Sequence, residues 1–199
     1  MTNKDEKIYI IFTILLVMGI GSGIFYFTEY RQSKMYFPDD IVMKTQEGET
    51  FSFSELEPKV RLLEFMYIDC PDLCPNTTFQ MQNIRDQLVK KNIFGSKVEF
   101  LTITFNPEKD SAEKIDAYAN TFEVNKTDGW EILRGSPEDT KKLTDQFDFL
   151  FRDSGTGEFV HTTATYLLDV ENRVVKVFGM GEFDFDKEAV YKAILKEVD

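Results

Sequence analysis

The apolar residues of this chain fall into two unlike patterns. Positions 8–27 form a run of 20 residues without a charge, and beyond Met35 the apolar residues come in short bursts set between polar ones. A helix of about 20 residues rises about 30 Å, the thickness of a bilayer core. The clearly polar members of the run are Thr13 and Ser22; Tyr9 and Tyr26 stand near its ends, where an interfacial aromatic belt places them. The pattern predicts a transmembrane helix over about 8–27. A cleaved signal peptide is the competing reading, but its apolar core is shorter, about 7–15 residues, and ends in a small-residue cleavage site. Here Phe25-Tyr26-Phe27 follows the small cluster, and the first cysteine, which a lipoprotein signal needs directly after the run, is Cys70. Gly19 and Gly23 have the spacing of a helix-pairing motif, although a glycine-rich anchor accounts for them as well. Lys4 and Lys7 before the run are balanced by Arg31 and Lys34 after it, so basic flanks do not set the orientation. A short head and a long following domain are the layout of a signal anchor. The expectation is a cytoplasmic head and membrane anchor over 1–34, and a domain over 35–199 on the extracytoplasmic side of a cell membrane crossed once.

The second pattern alternates strand-length bursts with amphipathic stretches. Residues 51–56 follow the turn Glu47-Gly48-Glu49, and 62–67 read as a buried strand. Residues 76–91 predict a helix with Met81, Ile84 and Leu88 on one face, and 98–105, rich in β-branched and aromatic residues, the next strand. Asp110 and Glu113 have capping-box spacing, and Ile115, Tyr118, Ala119 and Phe122 follow at i, i+3, i+4, i+7. Ser136-Pro137 is an N-cap followed by a first-turn proline, opening a helix to about Phe147. Residues 163–169 and 173–178 predict a hairpin around Glu171-Asn172, and Asp186 caps a last helix through Ala189, Val190, Ala193 and Ile194. The stretch 123–135, holding Trp130 and Leu133, reads as a packed connection. No repeat or low-complexity segment interrupts this order. Strands alternating with helices imply an α/β domain whose mixed central sheet is flanked by helices on both faces. A closing antiparallel hairpin and helix are how thioredoxin-like domains end.

Composition narrows the function. Of 199 residues 42% are hydrophobic, too many for a disordered chain. The net charge is −12, and from Met35 onward 19 basic and 32 acidic residues leave −13. Such a surface is a poor partner for nucleic acid and for anionic lipid. Two cysteines are too few for a disulfide scaffold, and with one histidine they make up all the soft metal ligands apart from methionine.

The cysteines stand in Cys70-Pro71-Asp72-Leu73-Cys74-Pro75, directly after a predicted strand and directly before a predicted helix. Unpaired N–H groups and positive potential at a helix start favour thiolate, the form that attacks disulfides and binds metal. Asp72 reads simply as an acid at that helix start. Three readings compete. A structural disulfide closing so small a ring removes little chain entropy. A thiol–disulfide oxidoreductase fits the strand–Cys–helix context, but its cysteines usually stand two residues apart, not three. A metal site needs completion from elsewhere. A lone histidine is ordinarily a packing or surface residue, but His161 ends a loop holding Gly155 and Gly157 and precedes a strand-like run. In a thioredoxin-like fold this loop lies beside the cysteine turn, where a thioredoxin carries a cis-proline; here no proline follows Pro137. Three ligands are too few for closed zinc coordination unless a carboxylate joins. Two thiolates and one imidazole suit copper, soft sulfur holding Cu(I) and imidazole helping with Cu(II). Met43, Met66, Met81 and Met180 form no methionine-rich repeat and read as packing residues.

The segments FMYIDCPDLCP (65–75), TFNPEKDSAEKIDAYA (104–119), WEILRG (130–135) and VHTTATYLLD (160–169) together resemble the Sco/SenC family. These are thioredoxin-like copper proteins needed to assemble the CuA centre of cytochrome c oxidase. The resemblance runs from Met43 to about Val198. It implies copper ligation by Cys70, Cys74 and His161, a copper donor protein, and as recipient the oxidase subunit that carries CuA. It leaves open a second role, a membrane-anchored thiol–disulfide reductase using Cys70 and Cys74 as its redox pair to keep that subunit's cysteines reduced, so whether the chain is an enzyme stays open. A redox or copper sensor is a third. A thiol peroxidase is disfavoured, because Tyr67 and not Thr stands three residues before Cys70. Ile68 stands where the family usually has Thr, Asn106 where it has Asp, and Ser111-Ala112 where it has Thr-Pro. The Asn106 difference puts in doubt any proton or docking role that a carboxylate there would serve.

Overall fold

The computed structural model describes residues 3–26, 30, 34–124 and 128–198. The first helix, α1 (Asn3–Phe25), has its large apolar side chains exposed from Ile8 to Phe25. Among the described residues it is the one helix long and apolar enough to cross a membrane, over Lys7–Phe25. Phe27, the expected end of the span, lies outside the described residues.

The rest of the chain builds one sheet and its helices. A short antiparallel pair, β1 (Val42–Lys44) and β2 (Thr50–Ser52), leads through a 3-10 turn (Phe53–Glu55) into β3 (Val60–Met66). Then follow α2 (Leu73–Lys90), β4 (Val98–Thr104), α3 (Ala112–Thr121), β5 (Trp130–Leu133) and α4 (Pro137–Gln146). The short hairpin β6 (Phe151–Asp153) and β7 (Phe159–His161) precedes β8 (Thr165–Leu168), β9 (Val174–Phe178), α5 (Gly181–Asp184) and α6 (Lys187–Val198). The sheet order is β5-β4-β3-β8-β9, with β3, β4 and β5 parallel and β8 and β9 antiparallel to their neighbours.

All seven residues of β3 are buried. Successive strand residues point to opposite faces, and here both faces are covered. Glu64 meets Thr78 of α2 on one side. Phe65 packs on the other against Phe147, just past α4, at 5.8 Å between ring centroids. This is the mixed, doubly covered sheet expected of a thioredoxin-like domain. Residues 35 and 36 join the sheet at its far end from the cysteines: the Val174 N–H donates to the Met35 carbonyl and Tyr36 bridges Arg173. That end is where β3 begins, and the cysteine turn follows where it finishes.

Local signals landed with some shifts. Ser136 caps α4 by accepting from the Asp139 N–H at 3.0 Å, with Pro137 in the first turn. Asp186 accepts from the Glu188 and Ala189 N–H groups at the start of α6. Asn172, at φ 62°, closes the β8–β9 turn in the left-handed conformation that asparagine tolerates. The cap of α3 is Ser111, accepting from the Lys114 N–H at 3.3 Å, and not Asp110, which turns inward and is fully buried. The stretch 123–135 is more than a connection. It contains β5, an edge strand paired with β4 whose four residues are too few to show a period. The segment 51–56 splits into the end of β2 and the 3-10 turn. Met43, Met66, Met81 and Met180 are all buried core residues.

Candidate metal centre

The chain leaves β3 at Met66 and makes one tight turn, with the Cys70 N–H donating to the Tyr67 carbonyl at 3.2 Å. Asp72 occupies the N-cap position of α2 without a side-chain cap bond, and its Oδ1 instead accepts from the Asn76 amide. Cys74 lies in the first helical turn, and its N–H points at Cys70 Sγ, 3.3 Å away. The turn is braced from the N-terminal end of α3. Buried Asp110 accepts from the Ile68 N–H at 3.2 Å and from the Thr104 hydroxyl, and Lys114 pairs with Asp69 at 3.0 Å. No disulfide joins the two cysteines, both of which are buried, Cys70 being 8% exposed and Cys74 0%.

His161 is brought in by the β6–β7 hairpin, not by an irregular loop. Phe151 pairs with His161, Arg152 with Val160 and Asp153 with Phe159. The hairpin turn uses Gly155 and Gly157, both at positive φ, and Asp153 accepts from the Gly155 N–H. Alternation then turns Phe151, Phe159 and His161 inward and Arg152 and Val160 outward. Inward, the imidazole meets an aromatic cage. Phe105 lies 5.4 Å from it between centroids, Phe149 is stacked on it at 5.8 Å, and Tyr67 stands edge-on at 6.1 Å. The Tyr67 hydroxyl accepts from the Phe159 N–H, tying the cysteine turn to the hairpin. His161 Nδ1 lies 2.8 Å from the Thr162 carbonyl and donates to it, which leaves Nε2 for the cysteines: a donor to Cys70 while the ring is charged, and a lone pair for a metal once it is neutral.

These elements bring the ligand atoms of Cys70, Cys74 and His161 within 4.8 Å of one another. Three atoms so spaced share a point within about 2.8 Å of each, close to the bonds of about 2.0–2.3 Å that a transition metal makes with nitrogen and sulfur. Hydrogen bonding from the Cys74 thiol, and then from His161 and the N–H groups of Cys74 and Asp72, outweighs burial and holds the Cys70 thiol down at about 4. Cys74 is pushed far up, because its thiol donates a hydrogen bond to Cys70 and because it is buried. Burial works against a charged His161, but its bonds to Cys70 and to the Thr162 carbonyl win, and its pKa is raised. The pair therefore holds one thiolate and one thiol, beside an imidazole.

Several neighbours carry no sequence signal for the site. Glu64 is fully buried beneath the turn, its Oε1 accepting from Thr78 and Thr102 at 2.9 Å each and its Oε2 unpartnered. The Thr78 hydroxyl also reaches the Cys74 carbonyl and Tyr118. Burial pushes Glu64 up to about 7. Asn106 is nearly buried and lines a cleft of about 400 Å³ with Phe105, Lys109, Phe151 and Phe159. A second buried carboxylate next to the cysteine turn is Asp110, which the sequence marked only as a cap. The aromatic cage was hidden among 19 phenylalanines, and only the proximity of Phe149 and Phe159 to His161 in the chain hinted at it.

Comparison with known proteins places the chain in a family. The family described as SCO1/SenC matches residues 34–199. An SCO2-like protein of Rickettsia typhi is 28% identical over 139 residues, which span 67% of this chain and 65% of that protein. Among solved structures, ScoI of Arabidopsis thaliana with copper bound superposes with a TM-score of 0.68 at 22% identity, covering 82% of this chain and 98% of that one. BsSco is described as a member of the Sco family of cytochrome c oxidase assembly proteins and as having a disulfide switch. It superposes with a TM-score of 0.69 at 19% identity, covering 84% and 96%. The chain belongs to the SCO1/SenC family, and its fold is thioredoxin-like.

Proposed function

We propose that the chain is a membrane-anchored copper-binding assembly factor that carries copper on Cys70, Cys74 and His161 for the CuA centre of cytochrome c oxidase. One observation carries the reading: the chain's only histidine, far along the sequence from its only two cysteines, comes with them to within 4.8 Å. Two sulfurs and one imidazole nitrogen suit copper in both oxidation states. Copper-bound relatives with this fold and a relative described as an oxidase assembly protein support cargo and destination alike. Residues 1–34 are assigned as head and anchor, and 35–199 as the extracytoplasmic domain. Residues 35 and 36 join the sheet at the end opposite the cysteine turn. The seven residues of β3 span about 20 Å from first to last at 3.3 Å per step, which sets the cysteine turn that far from residues 35 and 36.

Titrating the purified full chain in detergent with Cu(I) and with Cu(II), beside His161→Ala and Cys74→Ser, tests the reading. One copper per chain is expected, with His161→Ala weakening it by about 100-fold or more, since a lost ligand costs at least as much as a lost supporting contact. Binding by His161→Ala equal to the parent's overturns it. A second reading rests on the Cys70 thiolate beside the Cys74 thiol, which is the arrangement of a disulfide reductase. Cys70 would attack a partner disulfide, and Cys74 would then displace the partner's thiolate to leave a Cys70–Cys74 disulfide. Undiminished disulfide reduction by His161→Ala together with undiminished copper binding would favour it.

A further inference from the structure

Exposed apolar side chains in the domain are not scattered evenly. Among the described residues from 34 onward the three most exposed large ones are Phe183 at 93%, Leu150 at 72% and Val160 at 60%. All three lie on, or directly before, two elements that touch the cysteine turn, the β6–β7 hairpin and α5. Val160 is on β7 and Leu150 directly precedes β6, on the outward face of the hairpin whose inward face carries His161. Phe183 is on α5, whose first residue, Gly181, packs on Leu73 between the two cysteines and donates its N–H to Thr77. Exposing an apolar side chain of this size gains nothing for the fold, and three around one site mark an interaction surface.

The charges on the same elements say what kind of surface fits. Lys114 pairs with Asp69, and Lys109 lies 3.7 Å from Asp153. That leaves Asp72, Glu158, Glu182 and Asp184 exposed and outside ion pairs among the described residues, against one exposed cation, Arg152. An acidic rim disfavours a second copy of this acidic chain and disfavours anionic lipid. It favours a protein that presents an apolar patch ringed by lysine or arginine.

We propose that Phe183, Leu150 and Val160, ringed by these acids, are the docking surface for the protein that receives copper, a partner with an apolar, basic-rimmed face. The inference rests on the copper-transfer reading above. Transfer is then an exchange of ligands. Each copper–sulfur bond made to a partner thiolate replaces one made here, the proton lost by the incoming thiol passes to the thiolate released, and the copper keeps its oxidation state.

The test uses the full chain in detergent, loaded with Cu(I). Transfer is measured to the purified CuA-carrying domain of the oxidase subunit and, separately, to a small Cu(I) chelator. Phe183→Ser combined with Leu150→Ser and Val160→Ser should slow transfer to the protein at least tenfold while leaving copper affinity and the chelator rate unchanged. Glu182→Lys with Asp184→Lys should slow it as well and weaken its dependence on salt. Because these side chains are exposed, the variants keep the fold, checked by Trp130 fluorescence. Equal transfer rates for parent and variants overturn the docking surface alone. A parent that binds copper and passes it to the chelator but never to the CuA domain overturns the recipient, and the surface with it.

Discussion

Glu64→Gln is the sharpest test of the buried network beneath the cysteine turn. The carboxyl is wholly buried, with one oxygen held by Thr78 and Thr102 and the other unpartnered. Burial raises it from 4.5 to about 7. Between those values the folded chain binds a proton at Glu64 that the unfolded chain has released, so stability falls as pH rises through this window. Each pH unit is worth about 1.4 kcal/mol, so the group costs the fold about 3 kcal/mol once the pH is above 7. Glutamine cannot ionise. It keeps the acceptor for the two threonines but sets an amide nitrogen where the unpartnered oxygen was, an unsatisfied donor costing about 1–3 kcal/mol. The variant should therefore gain on the parent by about 2.5 kcal/mol between pH 5 and 8. Glu131, also raised to about 7 by burial, slopes in the same direction but is present in both proteins, so the difference isolates Glu64. Urea unfolding of the full chain in detergent, metal-free and reduced, reads this through Trp130. That residue is the only tryptophan, and its indole donates to Thr102, one bond from Glu64. A parent-to-variant difference that stays constant from pH 5 to 8 would refute the reasoning, because it would mean that Glu64 does not change protonation there.

Other outcomes follow from single contacts. In the metal-free, reduced chain, alkylation of Cys70 should persist down to about pH 4–5, because its thiol is held at about 4 against an ordinary 9.0, and Cys74 should stay unmodified by mass spectrometry; His161→Ala should move the Cys70 midpoint upward by removing one of its hydrogen-bond donors. Gly181→Ala should cost about 1–2 kcal/mol in urea unfolding, the penalty of a side chain in the left-handed region, since Gly181 sits at φ 84°. Its new Cβ would lie 2.6 Å from Leu73 Cδ2, so copper affinity should also fall as the cysteine turn shifts. Ser136→Ala should cost about 1 kcal/mol by removing the α4 cap while leaving copper affinity unchanged, because the lost hydroxyl bonds Asp139 of the same helix and no residue of the cysteine turn or the histidine hairpin. Copper should leave the site on acidification as the ligands take up protons, followed as loss of bound metal across a pH titration.

What could be read from the chain depended on whether the cause lay nearby in sequence. The period of Ile115, Tyr118 and Ala119, the cap at Ser136 and the buried run before Cys70 are local, because a few neighbours decide backbone and burial together. The cysteine turn was legible for the same reason, since strand, two thiols and helix follow one another without a gap. Reaching His161 needed a count of soft ligands and the place of its glycine-containing loop beside the cysteine turn in a thioredoxin-like fold. The remaining parts are set by contacts across the fold. Strand β5 exists because β4 lends it a parallel partner about 30 residues away. The three-residue strands β6 and β7 are held by rings from elsewhere, Phe105 at the end of β4 and Tyr67 at the end of β3. Asp110 has the spacing of a cap, but Ser111 serves one position on, which frees Asp110 to turn inward and hold Ile68. A glutamate in the middle of a strand reads as facing solvent, and only the helix lying across β3 makes Glu64 a buried acid. The ligands themselves are thus a local and compositional signal. What keeps them at bonding distance, the cage around His161 and the brace under Cys70, is a property of the packed sheet. Substitutions at Phe105, Phe149 or Asp110 should therefore disturb the site without touching a ligand.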